Sequence, residues 1–503
     1  MPGPAEPDPS TLGRWQLAPW KVVGLLAGLL AFALLVGLDS PLKHDPRWGS
    51  RPALAAGGAA LMALWWLTEA LPIYLTACVP LLLFPLLRVF GPGGRENLAG
   101  SAGPYVDPYI FLFAGGMGIA AAMQQWDLHR RIALNIMHRV GTDPRHLLAG
   151  VLAATAFISL WISNTATAAM LLPIGLALIR QIESQLGGRR LASYGMAIML
   201  AIAYGANVGG IGTKIGTAPN AQFAGFMERS GVSISFLQFL AVGFPFVVMF
   251  LPVVWWMLWR IARKDQLAGE IGEEIVAHEL VRLGPVRRQE RIVLGVFLAA
   301  ALLWIFGKPF TGFLTARVHA FELTSAHFEG GVAMLAAFTL LLWRSGGRQV
   351  LGFKALAGVP WETLLLLGGG FAMAGAIQKS GLSGFMSERL AAVQGLPPFA
   401  QVLLASLATV ALSAVASNTS TIAVMLVVLK GAVAPQMANT VLFTATLACS
   451  CDFALPAGTP PNAIVFGSGY VTIPRMARTG VVLDLLAACV AAAWCWVIVR
   501  WVL

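Results

Sequence analysis

WISNTATAAMLLPI (161–174) and VASNTSTIAVMLVV (415–428) carry one polar tripeptide, Ser163-Asn164-Thr165 and Ser417-Asn418-Thr419, inside apolar sequence. The copies lie 254 residues apart. Each is followed downstream by a second shared string, GTKIGTAPN (212–220) and AGTPPN (457–462). A carboxamide and two hydroxyls in hydrocarbon are costly unless something binds them. Placing the same polar knot in both halves reads as one site built from two pieces.

The surroundings are hydrocarbon because the composition says so. Of 503 residues, 57% are hydrophobic and 11% charged, with a mean hydropathy of +0.75. A soluble chain carries about a quarter charged residues. Apolar runs of membrane-spanning length recur along the chain, which predicts an all-α polytopic membrane protein. The first run, 22–37, follows a polar, Pro-rich leader and lacks a small-x-small cleavage site, so it reads as a retained span. Five cysteines (Cys78, Cys449, Cys451, Cys489, Cys495) sit in apolar runs with no His or carboxylate cluster beside them, and read as packing residues.

Spans are expected near 20–38, 53–69, 71–89, 108–124, 191–229 (interrupted), 236–260, 289–307, 328–345, 360–378, 438–470 (interrupted) and 480–502, eleven in all. Two further stretches, 146–182 and 398–435, hold Ser-Asn-Thr near their middles. An unbroken helix of that length would run roughly 55 Å, too long for the bilayer. Each therefore reads as a re-entrant hairpin with the tripeptide at its tip, buried in protein or facing water. With the N-terminus in the cytoplasm, 21 of the 34 Lys and Arg fall inside and 12 outside, Lys214 being left to the site. The net charge of +11 thus serves topology rather than nucleic acid. It puts the C-terminus outside and makes 263–288 a cytoplasmic loop with an amphipathic helix.

The halves repeat. FAGGMGIAAAMQQWDL (113–128) matches LGGGFAMAGAIQKSGL (367–382) at the tripeptides' own offset of 254, while the second strings match at 242. Five spans separate the hairpins, an odd number, so the repeats run in opposite senses. That is the plan of secondary transporters with a site near the midplane. The shared Gly-Thr-x-Pro-Asn (216–220 and 458–462) should break each run into half-helices. A break frees carbonyls at one end and N–H groups at the other. Carbonyls with tripeptide oxygens are hard ligands suited to Na⁺; N–H ends with Asn and Thr side chains suit an anion.

The paired tripeptides, the two breaks and the tail PPNAIVFGSGYV (460–471) resemble the divalent anion/sodium symporter family, from about Trp20 to Leu503. That resemblance implies a carrier of dicarboxylates, tricarboxylates or sulfate, working as a homodimer in the cell membrane with an elevator-like transport domain. It implies no cofactor beyond Na⁺ as coupling ion. Scaffold helices would be 20–145 and 289–397, and transport-domain parts 146–262 and 398–503, with 1–19 a cytoplasmic leader. One cation site would use Ser159, Ser163, Asn164 and the Gly216 carbonyl. The other would use Ser413, the Ala416 carbonyl, Asn418 and the Gly458 carbonyl. Substrate carboxylates would meet Asn164, Thr165, Thr217, Asn418, Thr419 and Thr459, with Pro460 shaping the wall. Among small divalent anions, a C4-dicarboxylate such as succinate, malate or fumarate is the leading expectation, with sulfate the alternative.

Two residues depart from the family pattern. Lys214 stands where an apolar residue is usual; it could replace a coupling cation, snorkel to water, or pair with a carboxylate. Asp452 stands where a small neutral residue is usual; it could pair with Lys214, couple protons, or face the cavity as an ordinary acid. Both leave open a sodium-independent exchanger or proton-coupled carrier of the same fold. Glu69 is expected at an interface, Glu362 at a helix start, and His129, His138 and His146 at the surface. An intramembrane enzyme would need H-E-x-x-H or G-x-S-x-G, and neither occurs. A channel would need polar residues along a path rather than in two knots.

Overall fold

The computed structural model describes residues 18–141, 143–267, 273–317 and 324–503. Nearly all of the expected leader 1–19, and residues 268–272 of the expected cytoplasmic loop, lie outside the described residues. Helix α1 (Pro19–Gly37) packs on α2 (Arg51–Leu67), close enough for Trp65 Nε1 to donate to the Leu25 carbonyl at 3.2 Å. The expected span 71–89 is two helices, α3 (Ile73–Ala77) and α4 (Val79–Leu87). Pro80 has no N–H for the carbonyl one turn back, so the helix breaks at Cys78.

After α5 (Gly94–Ala102), α6 (Pro108–Gln125) starts at Asp107, whose carboxylate accepts the Tyr109 N–H at 2.9 Å. Amphipathic α7 (Leu128–Val140) precedes the first hairpin, α8 (Pro144–Ser159) and α9 (Asn164–Gln185). The first interrupted run forms α10 (Ala192–Gly210) and α11 (Ala218–Arg229). Helix α12 (Phe236–Ala262) opens on a reciprocal Ser235–Gln238 cap. Then come α13 (Glu273–Leu283), α14 (Arg288–Ile305), α15 (Gly307–Arg317) and α16 (Ser325–Leu342). A two-residue antiparallel ribbon, β1 (Arg344–Ser345) with β2 (Arg348–Gln349), leads to α17 (Phe353–Ala357). Helix α18 (Glu362–Lys379) begins at Glu362, as expected, followed by α19 (Leu382–Arg389) and α20 (Ala391–Gln394). The second hairpin is α21 (Pro398–Ser413) and α22 (Asn418–Ala432); the second interrupted run is α23 (Ala438–Cys449) and α24 (Pro460–Phe466). Helix α25 (Ile473–Val502) closes the chain.

Among the described residues, seven helices are long and apolar enough to cross a membrane. Helix α10 is the centre: every residue from Tyr194 to Gly210 is buried, between α8, α9, α12 and α24. Its pseudo-equivalent α23 is buried from Thr440 to Cys449, against α21, α22 and α25. Helix α16 lies along α6, and α18 bridges α3, α11 and α22. On α7, Arg130 pairs with Glu279 of α13, and Arg131 Nε donates to Glu290 Oε2 of α14 at 2.6 Å. His129 is not at the surface. It is 6% exposed, its ring 3.2 Å from the Met123 carbonyl, because it lies on the apolar face of α7; burial lowers its pKa and favours the neutral ring.

Candidate functional site

Both Ser-Asn-Thr tripeptides and both breaks border one cavity of about 670 Å³. Asn164, Thr165 and Thr217 from the first half line it, with Asn418, Thr419, Thr459 and Pro460 from the second. Ser163, Ser417 and Gly458 also reach it; Ser159, Ser413, Gly216 and Ala416 do not line it. Lys214 and Asp452 do not line it. Glu69 and Glu362 do, and among the described residues no Lys or Arg does.

Helix N-termini point partial positive charge at the cavity, against the two carboxyl groups of Glu69 and Glu362 in its lining. Helices α9 and α22 begin at Asn164 and Asn418, and α11 and α24 begin just after Thr217 and Thr459. Four helix N-termini therefore border one space. The free N–H groups and dipoles of α9, α11 and α22 favour an anion, whereas α24 opens on Pro460 and Pro461, which have no N–H, and contributes mainly its dipole. The Ser163 hydroxyl caps α9 by accepting the Ala166 N–H at 3.4 Å.

Behind the tripeptides the halves make the same bonds. Ser159 Oγ lies 2.8 Å from Asn164 Oδ1 and 2.7 Å from the Ala206 carbonyl. Ser413 Oγ lies 2.8 Å from Asn418 Oδ1 and 2.7 Å from the Cys449 carbonyl. A hydroxyl has one proton, so each serine donates to one acceptor at a time and keeps lone pairs free.

The breaks are held by their own asparagines. Asn220 Nδ2 donates to the Gly210 carbonyl at 2.9 Å and the Thr213 carbonyl at 2.6 Å. Asn462 Nδ2 donates to the Asp452 carbonyl at 3.2 Å and the Leu455 carbonyl at 3.0 Å. Part of each freed carbonyl end is thus satisfied within the chain. Enough oxygen remains to suit a hard cation. A Cβ on Gly216 would stand 2.4 Å from the Gly210 carbonyl oxygen and 2.9 Å from that of Ser159. Asn207 Oδ1 and Asn220 Oδ1 are buried without a partner. Neutral, hard, crowded oxygens fit Na⁺ by ligand chemistry.

Lys214 is 0% exposed, so it does not snorkel. Its partner is Glu329 of α16, with Nζ 2.7 Å from Oε2, and its ammonium also donates to the Ile234 carbonyl. The expected alternative of a Lys214–Asp452 pair is not what forms. Lys214 projects toward α16 and the start of α12, where Glu329 Oε1 also accepts the Phe236 N–H at 2.6 Å.

Sequence reading missed two residues. Glu329 had a signal, an acid within an expected span. Asn207 had none, lying in an otherwise small and apolar run. Its Nδ2 reaches the second break, donating to the Asp452 carbonyl at 3.0 Å and Thr459 Oγ1 at 3.1 Å.

Comparison with known proteins shows the family and the fold. The family described as the sodium:sulfate symporter transmembrane region matches residues 52–502. The chain is 34% identical over 477 residues to the sodium-dependent dicarboxylate transporter SdcS of Staphylococcus saprophyticus, covering 92% of this chain and 89% of that one. It is 33% identical over 480 residues to SdcS of Staphylococcus aureus strain USA300, covering 93% and 89%. Two solved structures share the fold at low identity. The Alcanivorax borkumensis YdaH transporter has a TM-score of 0.52 at 14% identity, covering 85% of this chain and 98% of its own. Neisseria gonorrhoeae MtrF has a TM-score of 0.54 at 11% identity, covering 98% and 97%. A polytopic all-helical chain with paired tripeptides and breaks around one cavity, matched over nearly its whole length, belongs to the divalent anion/sodium symporter family of membrane transporters.

Proposed function

We propose that this protein is a secondary transporter that imports small divalent anions, C4-dicarboxylates such as succinate, malate or fumarate, by Na⁺ symport. The observation that carries this reading is the single cavity bordered by both tripeptides and four helix N-termini, with no basic side chain in its lining. N–H dipoles and hydroxyls hold a dianion without an ion pair that would have to be broken on release. Asn164, Thr165 and Thr217 take one carboxylate; Asn418, Thr419 and Thr459 take the other; Pro460 bounds the space. Sodium dependence and dicarboxylate transport are named for the SdcS relatives.

The residues that would hold Na⁺ are Ser159, Ser163, Asn164 and Gly216 at one site, and Ser413, Ala416, Asn418 and Gly458 at the other. Bound Na⁺ supplies positive charge beside the substrate carboxylates. The asparagines belong to both sets, so cation binding and anion binding share atoms, which is the coupling. The two hairpins and broken helices move together as an elevator against the scaffold helices, in a homodimer whose repeats are inverted, with N-terminus inside and C-terminus outside. The sharing of polar contacts across the two halves supports that grouping.

Purified protein in liposomes tests the reading. Uptake of radiolabelled succinate should require an inward Na⁺ gradient, and excess sulfate should compete weakly. Full uptake without Na⁺, driven only by internal succinate, would replace symport by exchange.

A further inference from the structure

The two breaks differ by one acidic side chain. At the 242-residue offset, Asn220 corresponds to Asn462, and the carbonyls they hold, Gly210 and Thr213, correspond to Asp452 and Leu455. Asp452 is thus the counterpart of a glycine. In the first half the space against Gly210 is filled by a neutral amide: a Cβ there would stand 2.0 Å from Asn164 Oδ1. In the second half a carboxylate lies against Gly458, where a Cβ would stand 1.9 Å from Asp452 Oδ2 and 2.7 Å from Oδ1.

That carboxylate is 0% exposed and short of partners. Neither oxygen makes a hydrogen bond of ordinary geometry among the described residues, although the Ala454 N–H lies near. The charged group facing it is another acid, Asp484 of α25, itself 5% exposed and accepting the Phe453 N–H at 2.8 Å. Lys214, buried at the first break, is committed to Glu329. Ser450 Oγ, two residues before Asp452, and Asn207 Oδ1, on the side chain bonded to the Asp452 carbonyl, are also buried without partners among the described residues. A carboxylate out of water and without a partner is costly, so the group either takes up a proton or is completed by a cation.

We propose that Asp452 gives the second cation site a formal negative charge, so that Na⁺ at Gly458 is held by a carboxylate in addition to neutral oxygens. The inference rests on the cation-coupled reading above and deepens it. It makes the two sites unequal: the second binds more tightly and fills first, and the first, all neutral, sets the Na⁺ requirement. A hard monovalent ion suits one carboxylate among carbonyl and hydroxyl oxygens.

The test is Na⁺-dependent thermal stabilisation of the full-length protein in detergent, read by tryptophan fluorescence, with choline chloride holding ionic strength constant. Asp452→Asn keeps the shape and removes the charge. It should raise the melting temperature without Na⁺ and move the Na⁺ midpoint up about tenfold or more. Asp452→Ala, a small neutral residue, serves equally if Asp452→Asn does not fold. An unchanged Na⁺ midpoint in the folded variant, the result for a carboxyl carried as its neutral acid, overturns the proposal. A wild type that shows no Na⁺ stabilisation and no Na⁺-dependent succinate uptake overturns the coupling reading as well. Na⁺-dependent uptake with an Asp452-independent midpoint sinks this inference alone.

Discussion

Lys214 and Glu329 form a fully enclosed ion pair, Nζ to Oε2 2.7 Å with side chains 0% and 2% exposed, joining the loop of the first break to α16. The Tyr109 ring lies 5.3 Å from the ammonium, and Phe236 N–H and the Ile234 carbonyl complete the polar set. Removing one partner strands the other in hydrocarbon. Glu329→Ala should cost about 3–5 kcal/mol, seen as a lower melting temperature. Lys214→Ile combined with Glu329→Leu should recover most of that loss, because an apolar pair needs no compensation. Equal destabilisation in the double variant would show that the charges are not the source of the cost.

Asn164→Ala and Asn418→Ala should each abolish Na⁺-driven succinate uptake while the protein stays folded. Each carboxamide faces the cavity and bonds a buried serine at 2.8 Å. Losing one such bond costs about 1 kcal/mol of stability, too little to unfold the chain, while the proposed site loses the ligand that cation and anion would share. Wild-type uptake in either variant would remove the central claim about the cavity.

Gly216→Ala should fail where Gly116→Ala succeeds. A Cβ on Gly216 would lie 2.4 Å from a backbone carbonyl oxygen, whereas on Gly116 its nearest neighbour is a side-chain carbon of Ile215 at 3.7 Å. Backbone at a break cannot yield without moving the carbonyl oxygens of the proposed cation site. Na⁺ stabilisation should be lost in Gly216→Ala, and retained in Gly116→Ala, in the same fluorescence melt.

Asn207→Ala should raise the KM for succinate several-fold with a smaller change in turnover. Asn207 sits on α10 and holds Thr459 at 3.1 Å, so it positions a cavity hydroxyl from the opposite half. Loss of that bond leaves Thr459 free to rotate and worth roughly 1 kcal/mol less to substrate. An unchanged KM would make Asn207 a packing residue only.

The tripeptides, the Gly-Thr-x-Pro-Asn strings and the apolar runs were enough to place both hairpins, both breaks and most helices. Polar residues inside apolar runs stand out in one dimension, and Pro interrupts a helix by local sterics alone. The break at Cys78 was less legible, since Pro80 is also acceptable near the start of a helix. His129 was misplaced because its exposure depends on which face of α7 meets the protein.

What the sequence by itself determined was the inventory: an all-helical membrane chain, two polar knots, and two charges out of place. Which charge met which was decided only in three dimensions. Lys214 and Glu329 are 115 residues apart, and no periodicity links them. The second break turned Asp452 toward Gly458 and Asp484 rather than toward the ammonium. Pairing in hydrocarbon is settled by proximity at the level of ångströms, because an uncompensated charge there has no water to fall back on. The loop of the first break reaches α16 and brings Lys214 to Glu329, while the second break leaves Asp452 against Gly458.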